Sequence, residues 1–482
     1  MSKSAKHCAR KTRIVATLGP ASSSPDTIEK LLRAGVNVFR LNFSHGTHRD
    51  HGERITAIRK ASARTGITCG ILADLQGPKI RTGKTPKDEP ILLRAGKQVR
   101  ITTRKVECSA EIISVDYAHL VDEIKPGQFV LINDGAIRLQ VQRIEKAEQS
   151  IVCRIVDGGA FSSRKGVNLP GVDLRIPAMT VKDRRDAAFA LQHDIHFIAL
   201  SFVRSAKDLE PVHRLVKRHR RNVKVIAKIE KPEAAERIDE ILDACDGIMV
   251  ARGDLGVETS LEDVPVIQKD LIAQANTRAK MVIVATQMLE SMIHNALPTR
   301  AESTDVANAI LDGTDAVMLS GETAVGGHAV GAVETMVRIA CAVETSRYFS
   351  RHWVDLSVGQ KYPPFTVCEA AATASADFGD TPVLVYTLSG DTALYLSKIR
   401  NQTPIYAFSP EPSVVGMLSL AWNVTAFELP LYSDGVALQR AAEKLLLERR
   451  LLRKGQYAIV ISGTAGARGA TNFMRIKRVG EE

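Results

Sequence analysis

The sequence predicts an α/β chain: a closed (β/α)₈ barrel, a small all-β domain inserted into it, and a second α/β domain at the C-terminal end. Three observations predict this. Eight short apolar runs alternate with helix-length segments between residues 13 and 345. One gap, from Leu75 to Ile195, is far too long for a connection and carries its own short alternating runs. Beyond about Ser346 the α/β alternation starts afresh. Eight β/α units in series imply a parallel sheet closed on itself.

Strand-like runs occupy residues 13–18, 36–43 and 70–75. Amphipathic helices at 26–34 and 49–64 separate them, and Pro25 with Asp26 makes a helix start. The insert follows, with short strands at 99–102, 129–132, 137–144 and 151–155. Lys125-Pro126-Gly127-Gln128 and Asn133-Asp134-Gly135 are its turn signals. The barrel resumes with runs at 195–202, 223–229, 247–250, 281–285 and 316–319. The helix at 263–279 sets Val264, Ile267, Leu271 and Ala275 on one face. A linker reads over 353–365, then strands at 383–387, 405–408, 426–429 and 458–461. The division is a barrel of 1–78 and 178–345, an insert of 79–177 and a C-terminal domain of 346–482. A domain hung after the third strand can close over the barrel mouth as a lid.

Composition narrows the function classes. No run of about 18 uncharged apolar residues suggests a membrane span. The basic stretch 1–11 precedes no apolar segment, so it does not read as a secretion signal. The seven cysteines are scattered without a Cys-x-x-Cys pair, which fits reduced thiols in a cytoplasm. The net charge of +11 suits anionic small molecules or a plain basic surface. Nucleic acid fits less well, because the run 214–221 lacks interleaved aromatics.

The chemistry gathers where strands end. Lys228 and Glu230 close one run, Gly253 and Asp254 follow the next, and Thr286 follows a third. Neighbouring strands lie about 4.8 Å apart, so Glu230 and Asp254 could share one hard cation such as Mg²⁺. Two solvated or salt-bridged acids is the plain alternative. Lys228, two residues before Glu230, points to the same face and suits a clamp on a transferring phosphoryl group, or a structural ion pair. Asp254-Leu255-Gly256 reads as opening a short helix with anion-facing N–H groups. Thr286 counts little alone, since threonine favours strands anyway. Arg40, Asn42 and Ser44 alternate at the end of the second run, and the arginine suits phosphate. Asp74, Leu75, Lys79 and Arg81 mark the third. A hydrogen-bonded rim would be the bland reading of these two sets.

These segments together resemble the pyruvate kinase family. The resemblance rests on Arg40-Leu41-Asn42-Phe43-Ser44-His45-Gly46, Gly77-Pro78-x-Ile80-Arg81, the run from Lys165 to Gly171, Lys228-Ile229-Glu230, Ala251 to Gly256, Ala285 to Met292, Pro298 to Glu302 and Leu319 to Thr323. It implies a TIM barrel with a lid and a regulatory C-terminal domain. It implies transfer of a phosphoryl group from phosphoenolpyruvate to ADP, giving pyruvate and ATP, by a cytoplasmic homotetramer. It implies Glu230 and Asp254 as ligands of Mg²⁺, or of Mn²⁺ in its place. Lys228 would stabilise the phosphoryl group and Arg40 would hold phosphate. Gly253, Asp254 and Thr286 would seat the substrate carboxylate. Asn42, Phe43, Ser44, His45, Arg81 and Lys165 would contact the nucleotide.

One departure concerns K⁺. Many members hold it with the positions of Asn42, Ser44, Asp74 and the Leu75 carbonyl, and carry glutamate where Lys79 stands. Lys79 resembles the K⁺-independent branch, so K⁺ is not expected to be required. In the C-terminal domain, Thr387, Ser389, Gly390 and Thr392 follow a strand and could cradle a phosphate, with Arg468 from the glycine-rich stretch 463–472 closing over it. Two ordinary loops is the alternative, and Asp391 would repel a phosphate. The expected effector is a phosphorylated sugar or AMP. Two rivals are a metal-dependent aldolase, which needs no nucleotide, and a sensor that binds without turnover.

Overall fold

The protein is described from a computed structural model, which covers residues 10–349, 363–432, 434–463, 469 and 471–481. The barrel opens with β1 (Arg13–Thr17), β2 (Val38–Asn42) and β3 (Gly70–Asp74). The insert contributes β4 (Ile91–Leu93), β5 (Gln98–Thr102), β6 (Ile112–Ser114), β7 (Phe129–Ile132), β8 (Ile137–Glu145), β9 (Ser150–Asp157), β10 (Gly159–Phe161) and β11 (Val167–Asn168). The barrel resumes with β12 (Phe197–Leu200), β13 (Lys224–Ile229), β14 (Gly247–Ala251), β15 (Met281–Ala285) and β16 (Ala316–Leu319). These eight barrel strands close in the order β1-β16-β15-β14-β13-β12-β3-β2, every pair parallel. Helices begin earlier than the sequence suggests because side chains cap them. Ser24 accepts from the Thr27 N–H, and Thr47 with Asp50 forms a reciprocal capping box, so these helices run Pro25–Ala34 and His48–Thr65.

Side chains alternate across each strand, and this sorts the barrel into layers. Val15, Val38, Leu72, Ala199 and Ile226 point inward and pack as one apolar floor. Their outward neighbours, such as Ile14, Phe39, Ile71, Ile198 and Val225, pack under the helices. Burying each large apolar side chain stabilises by about 1.5–3 kcal/mol. Two residues further along the same five strands, the inward positions are Thr17, Arg40, Asp74, Ser201 and Lys228. An apolar floor thus carries a polar ceiling at the C-terminal mouth.

The insert has its own core and two sheets, ordered β11-β7-β8-β9-β5-β6 and β10-β4. The short β4, β6, β10 and β11 were not legible in the sequence. In the C-terminal domain β17 (Val383–Tyr386), β18 (Ile405–Ser409), β19 (Val424–Glu428), β20 (Tyr457–Gly463) and β21 (Thr471–Arg478) order as β19-β18-β17-β20-β21. Two expectations need correction. The strand expected at 426–429 lies at Val424–Glu428, and Thr471 and Asn472 belong not to a loop but to β21, an antiparallel edge strand. Of the expected linker, 353–362 lies outside the described residues, while Pro363 to Phe365 begin the helix Pro363–Asp377.

This domain plugs the N-terminal end of the barrel. Met417, Leu418 and Leu420 join the barrel floor in one core. The approach is close enough to require glycine. A Cβ on Gly416 would lie 1.9 Å from Nε2 of His196, and one on Gly70 would lie 2.5 Å from the Ser419 hydroxyl. Polar groups cross the same junction. Asp315 pairs with Arg400 at 2.9 Å and with the fully buried Lys398, whose pKa burial pushes down to about 8 against the pull of Asp315.

His196 makes this junction acid-sensitive. It is buried, and its Nδ1 accepts from the Ile71 N–H at 3.0 Å, which requires the neutral ring. Burial first, and Arg59 second, push its pKa down to about 3. An unfolded histidine titrates near ~6.5. Below that pH the unfolded chain takes up a proton that the folded chain refuses, so stability is lost as pH falls toward 3. Between pH 7 and 5 the wild type should lose about 2 kcal/mol more than His196→Gln, by urea unfolding. Equal losses would contradict this.

Candidate active site

The polar ceiling is a chain of opposite charges. Arg40 Nε donates to Asp74 Oδ2 at 2.6 Å, and its Nη1 donates to Thr17 Oγ1 at 3.0 Å. Lys228 Nζ stands 3.4 Å from Asp74 Oδ1 and 2.8 Å from Glu230 Oε1. It also donates to Ser201 Oγ at 2.7 Å, and that hydroxyl donates to the Leu75 carbonyl at 2.8 Å. The backbone N–H of Phe202 donates to Glu230 Oε2 at 2.7 Å. Asp74 and Glu230 are each 1 % exposed, so these charges are held by one another rather than by water.

The protonation balance follows from that burial. Burial works against an ionised Asp74, yet Lys228 and Arg40 outweigh it and hold the carboxyl below its ordinary range. Burial also works against the Lys228 ammonium, and Asp74 and Glu230 outweigh it and raise its pKa. Glu230 does not follow its partner. Burial, reinforced by Asp254 nearby, outweighs Lys228 and raises the Glu230 carboxyl above its ordinary value. Asp254 thus repels the Glu230 carboxylate, a repulsion that a further cation between them would relieve.

Beside the chain the wall changes. β14 and β15 end in the small Ala251 and Ala285, both buried. Thr286 and Gln287 then adopt left-handed backbones, with φ of 72° and 55°. For a β-branched residue this costs on the order of 1–3 kcal/mol, and such strain clusters at functional sites. Arg252 over-determines the turn: its guanidinium donates to the Thr286 carbonyl at 2.8 Å and pairs with Asp305 at 2.6 Å. The Gly253 N–H donates to Thr286 Oγ1 at 2.7 Å.

Asp254 lies in the first turn of the helix Arg252–Glu258, as the run Asp254-Leu255-Gly256 suggests, because the chain turns helical straight after β14. One expectation about this region is corrected. Ser44 does not share a face with Arg40. β2 ends at Asn42, whose Oδ1 accepts the Ser44 N–H at 3.1 Å and turns the chain. Phe43 stacks on His51 at 4.1 Å between ring centres, and its carbonyl accepts from Lys182. His45 is exposed at the rim.

Arg81 and Lys165 sit side by side on the insert, joined by the Arg81–Gly166 bridge and the Lys165 N–H to Thr82 Oγ1 bond of 2.9 Å. Among the described residues no hydrogen bond or ion pair joins them to Asn42, Phe43, Ser44 or His45. Lys79 is exposed and lines a cleft of about 990 Å³ between insert and barrel, together with Asp134, Gly253 and Asp254. It has no ion pair among the described residues. Ser201, Arg252, Lys231 and Glu258 were missed by sequence reasoning. Ser201 had one usable signal, its place two positions beyond an inward Ala199.

In the C-terminal domain Thr387, Ser389 and Thr392 line a cavity of about 700 Å³, with Arg475 opposite. The Gly390 N–H is taken by Thr387 Oγ1 at 2.9 Å, and the Ser389 hydroxyl donates to Asp391 at 2.8 Å. Arg468 lies outside the described residues.

Comparison with known proteins decides the family. The profile described as "Pyruvate kinase, barrel domain" matches residues 9–333, and "Pyruvate kinase, alpha/beta domain" matches residues 366–477. The chain belongs to the pyruvate kinase family. The pyruvate kinase of Mycobacterium intracellulare is 44 % identical over 478 residues, covering 98 % of this chain and 99 % of that one. That of Corynebacterium efficiens is 43 % identical over 474 residues, covering 98 % of each. A crystal structure of a Cryptosporidium parvum pyruvate kinase superposes with a TM-score of 0.92 at 37 % identity, covering 98 % of this chain and 96 % of that one. A pyruvate kinase is a phosphotransferase, and this chain is an enzyme of that class.

The charge chain makes a stability prediction. Lys228→Met leaves Asp74 and Glu230 short of their shared cation inside the barrel. Urea unfolding should show a loss of about 3–5 kcal/mol at neutral pH. Unchanged stability would mean the pair is already neutralised by other means.

Proposed function

We propose that this pyruvate kinase transfers the phosphoryl group of phosphoenolpyruvate to ADP with Mg²⁺ held by Glu230 and Asp254. The observation that carries the reading is the buried chain Arg40–Asp74–Lys228–Glu230 at the barrel mouth, with Asp254 close enough to raise the Glu230 carboxyl. The donor set fits the ion. Two hard carboxylates suit Mg²⁺, which completes its shell with substrate oxygens and water. Among the described residues no cluster of three or more acids, histidines or cysteines suits a self-sufficient metal cage. Bound there, Mg²⁺ or Mn²⁺ would neutralise charge on the transferring group.

The protein's own groups then position and neutralise. Lys228 is kept charged by Asp74 and Glu230 against the effect of burial, so its ammonium can meet phosphoryl oxygens as they accumulate charge. Arg40, pinned by Asp74 and Thr17, offers its remaining N–H groups to phosphate. The strained Thr286 presents its hydroxyl beside Gly253, where the substrate carboxylate would sit and the enolate would be protonated. Asn42, Phe43, Ser44 and His45 on the rim, with Arg81 and Lys165 on the lid, would contact the nucleotide.

K⁺ is read as dispensable. Asn42 Oδ1 accepts from the Ser44 N–H, the Leu75 carbonyl from Ser201 and Asp74 Oδ2 from Arg40, while Asp74 Oδ1 faces the Lys228 ammonium at 3.4 Å, so a fixed cation already stands at that oxygen. Lys79 adds a positive charge at the cleft where the phosphates would lie. A phosphorylated sugar or AMP is proposed for the C-terminal cavity, where Thr387, Ser389 and Thr392 supply hydroxyls and Arg475 a cation. A homotetramer in the cytoplasm is proposed from the family. No helix among the described residues is long and apolar enough to cross a membrane.

The test is pyruvate formation from phosphoenolpyruvate and ADP with Mg²⁺ in K⁺-free buffer. Turnover that vanishes without ADP or Mg²⁺ is the expected result. A several-fold rise on adding K⁺ at constant ionic strength would discard the K⁺ reading alone. Turnover without nucleotide would favour an aldolase, and binding without turnover a sensor. Lys228→Met should lower kcat by about 10²–10³-fold.

A further inference from the structure

Among the described residues two sets of side-chain bonds tie the insert to the barrel, and one of them adjoins the carboxylates proposed to hold the metal. Just before the insert, the Gly77 N–H is fixed within the barrel by the buried Asp183 at 3.1 Å. Where the chain returns, the Arg204 guanidinium holds the carbonyls of Leu174 and Ile176. The second tie is a side-chain cluster. Asn168 Nδ2, on β11 of the insert, donates to Glu258 Oε1 at 2.8 Å. The same oxygen stands 3.0 Å from Lys231 Nζ, and the two charged side chains are only 2 % and 6 % exposed.

Each member adjoins a residue of the proposed site. Glu258 ends the seven-residue helix that holds Gly253 and Asp254. Lys231 follows Glu230. Asn168 lies three residues after Lys165, on the edge that the Gly166–Arg81 bridge joins to Arg81. Arg40, Asp74, Lys228 and Thr286 belong to the barrel and, among the described residues, make no hydrogen bond or ion pair to the insert.

We propose that Asn168, Glu258 and Lys231 form a latch that sets the lid over the barrel mouth, with Glu258 a positioning residue for the nucleotide. This rests on the reading of Lys165 and Arg81 as nucleotide contacts. Lys231 fixes the Glu258 carboxylate, and the carboxylate fixes Asn168. Releasing Asn168 lets Lys165 and Arg81 drift together while the phosphoenolpyruvate groups stay in place.

The test compares wild type with Asn168→Ala and Asn168→Asp, measuring kcat and KM for ADP and for phosphoenolpyruvate, with a thermal unfolding midpoint for each protein. Asn168→Ala should raise the KM for ADP about tenfold, or about 1.4 kcal/mol, and change that for phosphoenolpyruvate less than about twofold. Asn168→Asp, which sets a second carboxylate against Glu258, should raise it further while the constant for phosphoenolpyruvate again changes less than about twofold. An unaltered KM for ADP in both variants overturns the latch, as does an equal rise in both constants. Wild type that turns over only with ADP keeps the functional reading even if the latch falls. Wild type that does not turn over with ADP ends both.

Discussion

The structure depends on one constraint: charges inside a barrel must neutralise one another. Parallel strands buried on both faces ordinarily carry apolar side chains throughout. Here the inward register is apolar for one layer, from Val15 to Ile226, and then turns polar at Thr17, Arg40, Asp74, Ser201 and Lys228. Removing water from such groups costs several kcal/mol per ion unless they pair with good geometry. The alternation of Arg40, Asp74, Lys228 and Glu230 meets that condition, and it orders each side chain before any substrate arrives. Catalysis that relies on positioning and charge neutralisation needs that rigidity.

The two other domains serve the same ceiling from opposite sides. The C-terminal domain closes the barrel floor with Met417 and Leu418, so the apolar layer beneath the charges continues into that domain's core. The close approach at Gly416 and the buried Asp315, Lys398 and Arg400 make that docking specific rather than merely greasy. The insert is held to the barrel by Asn168 on Glu258 and by Arg204 on Leu174 and Ile176, and it carries Arg81 and Lys165. The small Ala251 and Ala285 end their strands beside the strained Thr286.

What was legible in the sequence was what period-two alternation carries. Lys228 and Glu230 were placed on one face, and their 2.8 Å contact agrees. The barrel, the insert and the C-terminal domain followed from element lengths alone. Alternation failed where a strand had already ended, at Ser44, because the Asn42 side chain had taken over the backbone. Ser201 and Glu258 escaped notice because their partners Lys228 and Asn168 lie 27 and 90 residues away. The edge strand β21 was hidden by its charged, half-exposed residues, which resemble a loop when no neighbour is known. The roles of single residues came from resemblance to the family rather than from periodicity or spacing.

The account rests on Glu230 and Asp254 being two crowded acids that a divalent cation relieves. The most direct measurement is Mn²⁺ binding by electron paramagnetic resonance in the absence of nucleotide, for wild type and Glu230→Gln. The account predicts one tight Mn²⁺ per chain in wild type when phosphoenolpyruvate is present, and its loss in Glu230→Gln. Equal Mn²⁺ affinity in the two proteins would contradict it.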